Sequence, residues 1–239
     1  LVKSAPSYII QISGLYDMAA LELGGAYGSD FHSFPVEKGE TFGTRNGLGA
    51  SVTSKIRVSK NSRLWFNQSI SYHRIQSYLL IAKKTNSDDG RANYNAFTGG
   101  LGFEYNFTPN YSVKIFAGAE VNASMISGSL MIWTPVNGDP YNTEEYKILN
   151  SFRLGYSLGI GGTYMLSKRI GINFSTRYSC LNALLRSSAG SDSDREFALR
   201  DASTNENLRF SGNKNFSFFS IGSGITIYFG IKNKTYKLN

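Results

Sequence analysis

From residue 152 to residue 166 the chain keeps a two-residue period. Phe152, Leu154, Tyr156, Leu158, Ile160, Tyr164 and Leu166 fall on one face, and Arg153, Gly155, Ser157, Gly159, Gly161 and Thr163 on the other. An extended strand has that period, because its successive side chains point to opposite sides. Fifteen residues is also long, since strands of soluble domains usually run about five or six. Seven further segments repeat the pattern. Leu48, Ala50, Val52, Ile56 and Val58 oppose Gly49, Ser51, Thr53, Lys55 and Arg57; Leu64, Phe66, Ile70 and Tyr72 oppose Asn67, Ser69, Ser71 and His73. Phe97, Leu101, Phe103, Tyr105 and Phe107 oppose Thr98, Gly100, Gly102, Glu104 and Asn106. Tyr111, Val113, Ile115, Ala117, Ala119 and Val121 oppose Ser112, Lys114, Phe116, Gly118, Glu120 and Asn122. Ile170, Ile172, Phe174 and Tyr178 oppose Gly171, Asn173, Ser175 and Arg177, and Phe219, Ile221, Ile225, Ile227 and Phe229 oppose Ser220, Gly222, Gly224, Thr226 and Tyr228. Ahead of these, Ala19, Leu21, Leu23 and Tyr27 oppose Ala20, Glu22, Gly24 and Gly28, which places the first strand there.

The connections alternate too. Short turns fall near residues 60–62, 108–110 and 167–169, and long polar segments at 29–44, 83–95, 135–150 and 186–215. An up-and-down antiparallel meander gives that alternation when its two ends face different compartments. The expected plan is an N-terminal segment at 1–17, a barrel at 18–231 and a short tail at 232–239. The N-terminal segment carries Tyr8, Ile9, Ile10 and Ile12, and reads either as an extension of the first strand through a bulge or as a separate piece.

Composition decides which face is inside. The polar face is built from Gly100, Gly102, Gly118, Gly155, Gly159, Gly161, Gly222 and Gly224 as much as from hydroxyls. Glycine weakens a solvated strand but suits the crowded interior of a narrow eight-stranded barrel. The apolar face then looks out to lipid, with Tyr72, Phe107, Tyr111, Tyr164, Phe219 and Phe229 near strand ends as interfacial girdles. The fold class expected is all-β: a closed up-and-down antiparallel transmembrane β-barrel of about eight strands. A soluble lipocalin-like barrel with the apolar face inward is the alternative. The longest apolar run, near residues 78–82, is far too short for a membrane helix. One Cys excludes an internal disulfide and a multi-Cys zinc site, and two His argue against a His-rich metal centre. The net charge of +8 is spread along the chain, which argues against a nucleic-acid groove.

In the alternations Leu101-Gly102-Phe103 and Leu158-Gly159-Ile160-Gly161, the turns Thr108-Pro109-Asn110 and Ser167-Lys168-Arg169, and the closing run from Ile225 to Phe229, the chain resembles the small eight-stranded outer-membrane β-barrels of the OmpA/OmpX type, particularly the Bacteroidetes-like ones. Its aromatic closing strand is similar to the C-terminal signal read by barrel-assembly machinery, although residues 230–239 follow where many barrels stop. The resemblance implies a bacterial outer membrane, a signal peptide already removed, short periplasmic turns and long extracellular loops. It also implies a surround of outer-membrane lipid or lipopolysaccharide.

The candidate site is the set of inward charges: Glu22, Lys55, Arg57, Glu104, Lys114, Glu120, Arg153 and Arg177. A hairpin centred on Pro109 sets Glu104 opposite Lys114. Glu120 and Arg177 are expected to meet across the lumen, with Lys55 and Arg57 seeking Glu22 and Glu104. Charges in a lumen must be paired or wetted, so a plugging network is the expected role. Five bases against three acids would make any pore prefer anions. The expected function is a structural or protein-interaction component, not an enzyme, with no catalytic, metal or cofactor residues. The alternatives are a narrow anion-preferring channel and a lipid-acting hydrolase using His73 with Ser69 or Ser71. A protein partner would meet the long loops, above all residues 186–215, where Asp192, Asp194, Glu196 and Asp201 nearly balance Arg195, Arg200 and Arg209. His32, beside Asp30, reads as a solvated loop residue.

Overall fold

The computed structural model describes residues 6–24, 41–77, 90–136, 139–187, 196–199, 201–202 and 213–230. Eight long strands dominate these: β1 (Tyr8–Ala20), β2 (Asn46–Arg57), β3 (Leu64–Gln76), β4 (Gly90–Asn106), β5 (Val113–Val136), β6 (Asp139–Met165), β7 (Ile170–Leu184) and β9 (Ser217–Phe229). A two-residue strand, β8 (Glu196–Phe197), lies parallel to β6 at Lys147 and Ile148. Each long strand pairs antiparallel with its neighbours, and β1 against β9 closes the ring. The register can be followed around the wall from Tyr8 through Ile56, Phe66, Phe103, Ala119, Leu158, Tyr178 and Phe219. It returns to β1 at Met18, ten residues above its start. With a rise of ~3.3 Å per residue and strands ~4.8 Å apart, that stagger tilts the strands by about 40°.

The apolar face looks outward, as lipid requires. Val52, Ile70, Phe97, Leu101, Phe103, Val121, Leu158, Ile160, Phe174 and Ile221 are all exposed on the wall, while the alternating Ser, Asn, Gly and charged positions point in and are buried. On β4 the outward apolar run goes from Phe97 to Phe107. Eleven residues at this tilt span about 25 Å, the height of an outer-membrane apolar band. Aromatics mark its edges: Tyr156, Tyr178 and Phe219 form a touching row at the loop end, and Tyr8 packs on Phe229 at the turn end.

Three expectations need correction. The first strand is Tyr8–Ala20, not residues 19–28, and it closes the ring against β9. Leu21 adopts a left-handed φ of 52°, which ends the extended chain and starts a 3-10 turn, Leu21–Leu23, that carries Leu23 into the core. Tyr27 lies outside the described residues. The segment 135–150, expected as a loop, is mostly strand: β5 and β6 continue their pairing up to Val136 opposite Asp139. Finally, Glu104 lies opposite Gly118, not Lys114, because Phe107 pairs with Ile115 and leaves a longer turn. His32, most of the 29–44 segment, the 83–89 segment and the 231–239 tail also lie outside the described residues.

Glycine is needed where the seam is tightest. A Cβ on Gly224 would overlap the Ile12 carbonyl oxygen of β1. Gly224→Val should therefore weaken closure by about 1–3 kcal/mol, while Ser223→Val, on the lipid side, should leave it unchanged. A chain shortened to begin at Met18 should lose the folded form altogether. The heat-dependent mobility of the folded barrel in detergent gels reports all three.

Candidate functional site

The lumen is layered. Its floor, at the turn end, is apolar: Ile9, Trp65 and Tyr228 cluster with Met165, and Trp65 Nε1 donates to the Ser62 carbonyl at 3.0 Å. Above it comes a polar layer from the inward positions of all eight strands. Hydroxyls and amides bond across strands there: Thr98 to Ser124 at 3.1 Å, Asn122 Nδ2 to Ser157 Oγ at 2.6 Å, Ser157 to Ser179 at 2.8 Å, and Asn173 Nδ2 to Ser13 Oγ at 2.8 Å.

The inward alternation turns apolar at the loop end. Ile75 follows His73 on β3; Tyr94 and Ala96 precede Thr98 on β4; Ile126, Leu130 and Ile132 follow Ser124 on β5; Phe218 precedes Ser220 on β9. With Leu23, Phe42, Leu199 and Phe216 they form a buried cap over the lumen. Phe42, Tyr94 and Phe216 meet edge to face at 5.3–5.7 Å.

The charges sit between floor and cap. Lys55 Nζ lies 2.6 Å from Glu104 Oε2, both side chains under a tenth exposed, and 4.4 Å over the Phe116 ring. Arg177 Nη1 lies 3.0 Å from Glu120 Oε2, which also accepts from Ser69 Oγ at 3.0 Å. Arg153 grips Asp201 with two donors, Nε at 2.8 Å and Nη2 at 2.9 Å. Asp201 is fully buried and also accepts from Asn182 Nδ2 and the Ser187 amide, so it pins the long loop into the mouth.

The other sequence-predicted residues stand apart. Lys114, near the turn end, places Nζ 4.3 Å over the Tyr228 ring. Arg57 is half-buried at the end of β2. Glu22 is at the mouth, in the 3-10 turn, accepting from the Asn215 amide and side chain at 3.3 and 3.2 Å; it does not reach Lys55 or Arg57.

Two buried acids lie outside the predicted inward set: Asp201, which the sequence places in the long loop, and Asp17, which precedes the predicted first strand. The alternation Ile10, Ile12, Tyr16, Met18 against Gln11, Ser13, Asp17 was the available signal. With both acids counted, Glu22, Glu104, Glu120, Asp17 and Asp201 match in number the five bases predicted, while buried Lys214 and half-buried Arg186 add two further positive charges at the mouth.

Asp17 joins His73. His73 Nδ1 lies 2.8 Å from Asp17 Oδ2, His73 Nε2 3.0 Å from Ser71 Oγ, and Ser220 Oγ donates to Asp17 Oδ1 at 2.5 Å. The order Ser–His–Asp is that of a hydrolytic triad. The rest of such a site is missing among the described residues. The amides around Ser71 belong to the paired ladders of β3 with β2 and β4, leaving no donor pair for an oxyanion. The imidazole is buried, with the Phe218 ring 4.7 Å away beneath the apolar cap. With Ser220 the trio is a buried polar clamp between β1, β3 and β9.

Among the described residues, two cavities of about 50 Å³ each lie in the lumen. Lys55, Glu104 and Phe116 line both and form the septum between them. Each holds a few waters at most.

This architecture and exterior define a class: the chain is a small eight-stranded β-barrel of the outer-membrane type, and the outer membrane is where its apolar wall belongs. No family model matches the chain, and no curated protein matches it by sequence. Solved structures do. Neisserial surface protein A superposes with a TM-score of 0.50 at 13% identity, over 93% of this chain and 97% of that one. The outer-membrane protein OprG of Pseudomonas aeruginosa gives 0.50 at 12% identity, over 95% and 97%. At such identities the likeness is one of fold.

The two inward pairs should differ in worth. Glu104→Gln leaves the buried Lys55 without its carboxylate and should cost about 3–5 kcal/mol. Arg177 is a third exposed, so Glu120→Gln should cost clearly less. Urea unfolding midpoints in micelles, which should fall further for Glu104→Gln, check the order.

Proposed function

We propose that this protein is a closed-lumen outer-membrane barrel that acts as a structural or protein-interaction component through its extracellular end. The blocked lumen supports this reading most directly: the Lys55–Glu104 septum and an apolar cap lie in series along one narrow axis. The hairpin of β5 and β6 carries the chain away from the membrane. β5 leaves the apolar band near Met125 and continues to Val136, roughly 35 Å of further strand. That projection and the long loop pinned by Asp201 are the surfaces offered to a partner.

The channel reading, narrow and anion-preferring, is weakened where Asp17 and Asp201 offset inward bases and where the apolar cap covers the path. The hydrolase reading has a triad-like trio but no route for a lipid to reach it.

In planar bilayers the purified barrel should show no steady conductance; an ohmic, anion-selective current would overturn the closed-lumen reading. Replacing residues 133–143 by an Asn-Gly turn, next to the Ile132–Glu144 pair, should leave the heat-modifiable barrel intact. On whole cells the same change should abolish chemical cross-links between this protein and other surface proteins. Unchanged cross-links would remove the hairpin from the proposal.

A further inference from the structure

On the outer side of β3, β4 and β5 the lipid-facing pattern stops abruptly. Tyr72, Phe97 and Met125 are in register and outward. The next outward row is Arg74, Asn95 and Ser127, and the one beyond it Gln76, Asn93 and Ser129. Arg74 and Arg91 are both exposed and line one groove of about 140 Å³ together with Gln76, Asn93 and Ser129. Arg74 spends one donor, Nε, on Asn93 Oδ1 at a long 3.4 Å. Among the described residues neither guanidinium has a carboxylate within 4.0 Å, whereas Arg153 and Arg177 in the lumen both do.

Two guanidiniums with no carboxylate partner among the described residues repel each other beside one groove, and amide and hydroxyl groups complete the lining. This is the donor set of a phosphoryl site, since the planar guanidinium fork matches phosphate oxygens. Its height selects the source. The groove begins where the apolar band ends, at the level of lipid headgroups, and it faces the bilayer side of the wall. We infer that Arg74 and Arg91, with Gln76, Asn93 and Ser129, hold a phosphate of an anionic glycolipid of the outer leaflet. The site lies outside the barrel and does not depend on whether the lumen is closed.

The test uses the full chain in neutral micelles, with diphosphorylated lipid A, the same lipid stripped of its phosphates, and inorganic phosphate as probes. The wild type should bind lipid A at least roughly tenfold tighter than the stripped lipid, the worth of one charge-assisted contact. Arg74→Gln/Arg91→Gln should lose that preference. Ser129→Asp, which keeps both arginines but adds a carboxylate to the groove, should lose it as well. Lys168→Gln/Arg169→Gln, at the opposite end, should keep it. Heat-modifiable mobility shows that each variant is folded, and so separates failure of the site from failure of the barrel. Equal binding of the two lipids by the wild type, or a preference retained in either groove variant, overturns the inference. Inorganic phosphate that competes as well as lipid A assigns the groove to free anions and overturns the lipid source.

Discussion

The hydrogen-bonded seam between β1 and β9 is the contact on which the rest of the molecule depends. A bilayer offers nothing to an unpaired amide or carbonyl, and each one left in it costs several kcal/mol. The seam pairs Tyr8 through Ala20 with Phe229 through Ser217, and so leaves neither β1 nor β9 with an open edge. Closure with a ten-residue stagger then sets the tilt, and with it a lumen that side chains nearly fill. Inward residues must be small or mutually bonded. The close approach of Gly224 to the Ile12 carbonyl and the Lys55–Glu104 pair are two answers to that crowding.

The layering of the lumen follows from what lies outside the wall. Within the apolar band the exterior takes the hydrophobic side chains, so the interior receives hydroxyls, amides and paired charges. Above the band the exterior meets water, and the same inward positions become apolar: His73 gives way to Ile75, Ser124 to Ile126 and Ser220 to Phe218. An irregularity in β6 between Ser151 and Ile148 adds one residue, which lets Ile148 point inward with the cap although Ser151 and Arg153 do so below it. The molecule is a membrane protein over one stretch of its strands and has a water-soluble type of core over the next.

Much of this was legible in the sequence because a two-residue period carries the face assignment directly. The outward positions of β2, β3, β4 and β9 could be read residue by residue. What could not be read depends on partners distant in the chain. Residues 19–28 alternate as well as a strand does, and only the left-handed Leu21 and the pairing of Tyr8–Ala20 with two neighbours show where the first strand lies. Asp17 was lost with that strand. Asp201 sits in a long loop without any period, so its place on Arg153 is a tertiary fact alone. The Glu104–Lys114 pairing failed because a turn's centre does not fix its register, and the Phe107–Ile115 bond shifts every cross-strand neighbour. The cap was hidden for another reason: apolar residues on the inward face read as a break in the pattern until the height of the membrane is known.

The buried acids decide how the interior should be understood. An inward face of Lys55, Lys114, Arg153 and Arg177 without Asp17 and Asp201 looks like the lining of an anion path. With them, Lys55, Arg153, Arg177 and His73 each reach a carboxylate on another strand or loop. Buried pairs of this kind add little net stability, because desolvation offsets most of their attraction, yet breaking one is costly. They therefore act less as glue than as locks on register. Arg153 fixes where the long loop enters the mouth, and His73 ties β3 to β1 through Asp17 while Ser220 brings β9 to the same carboxylate. A Ser–His–Asp geometry that performs acyl transfer where amides and substrate converge here holds three strands together, because its surroundings supply neither.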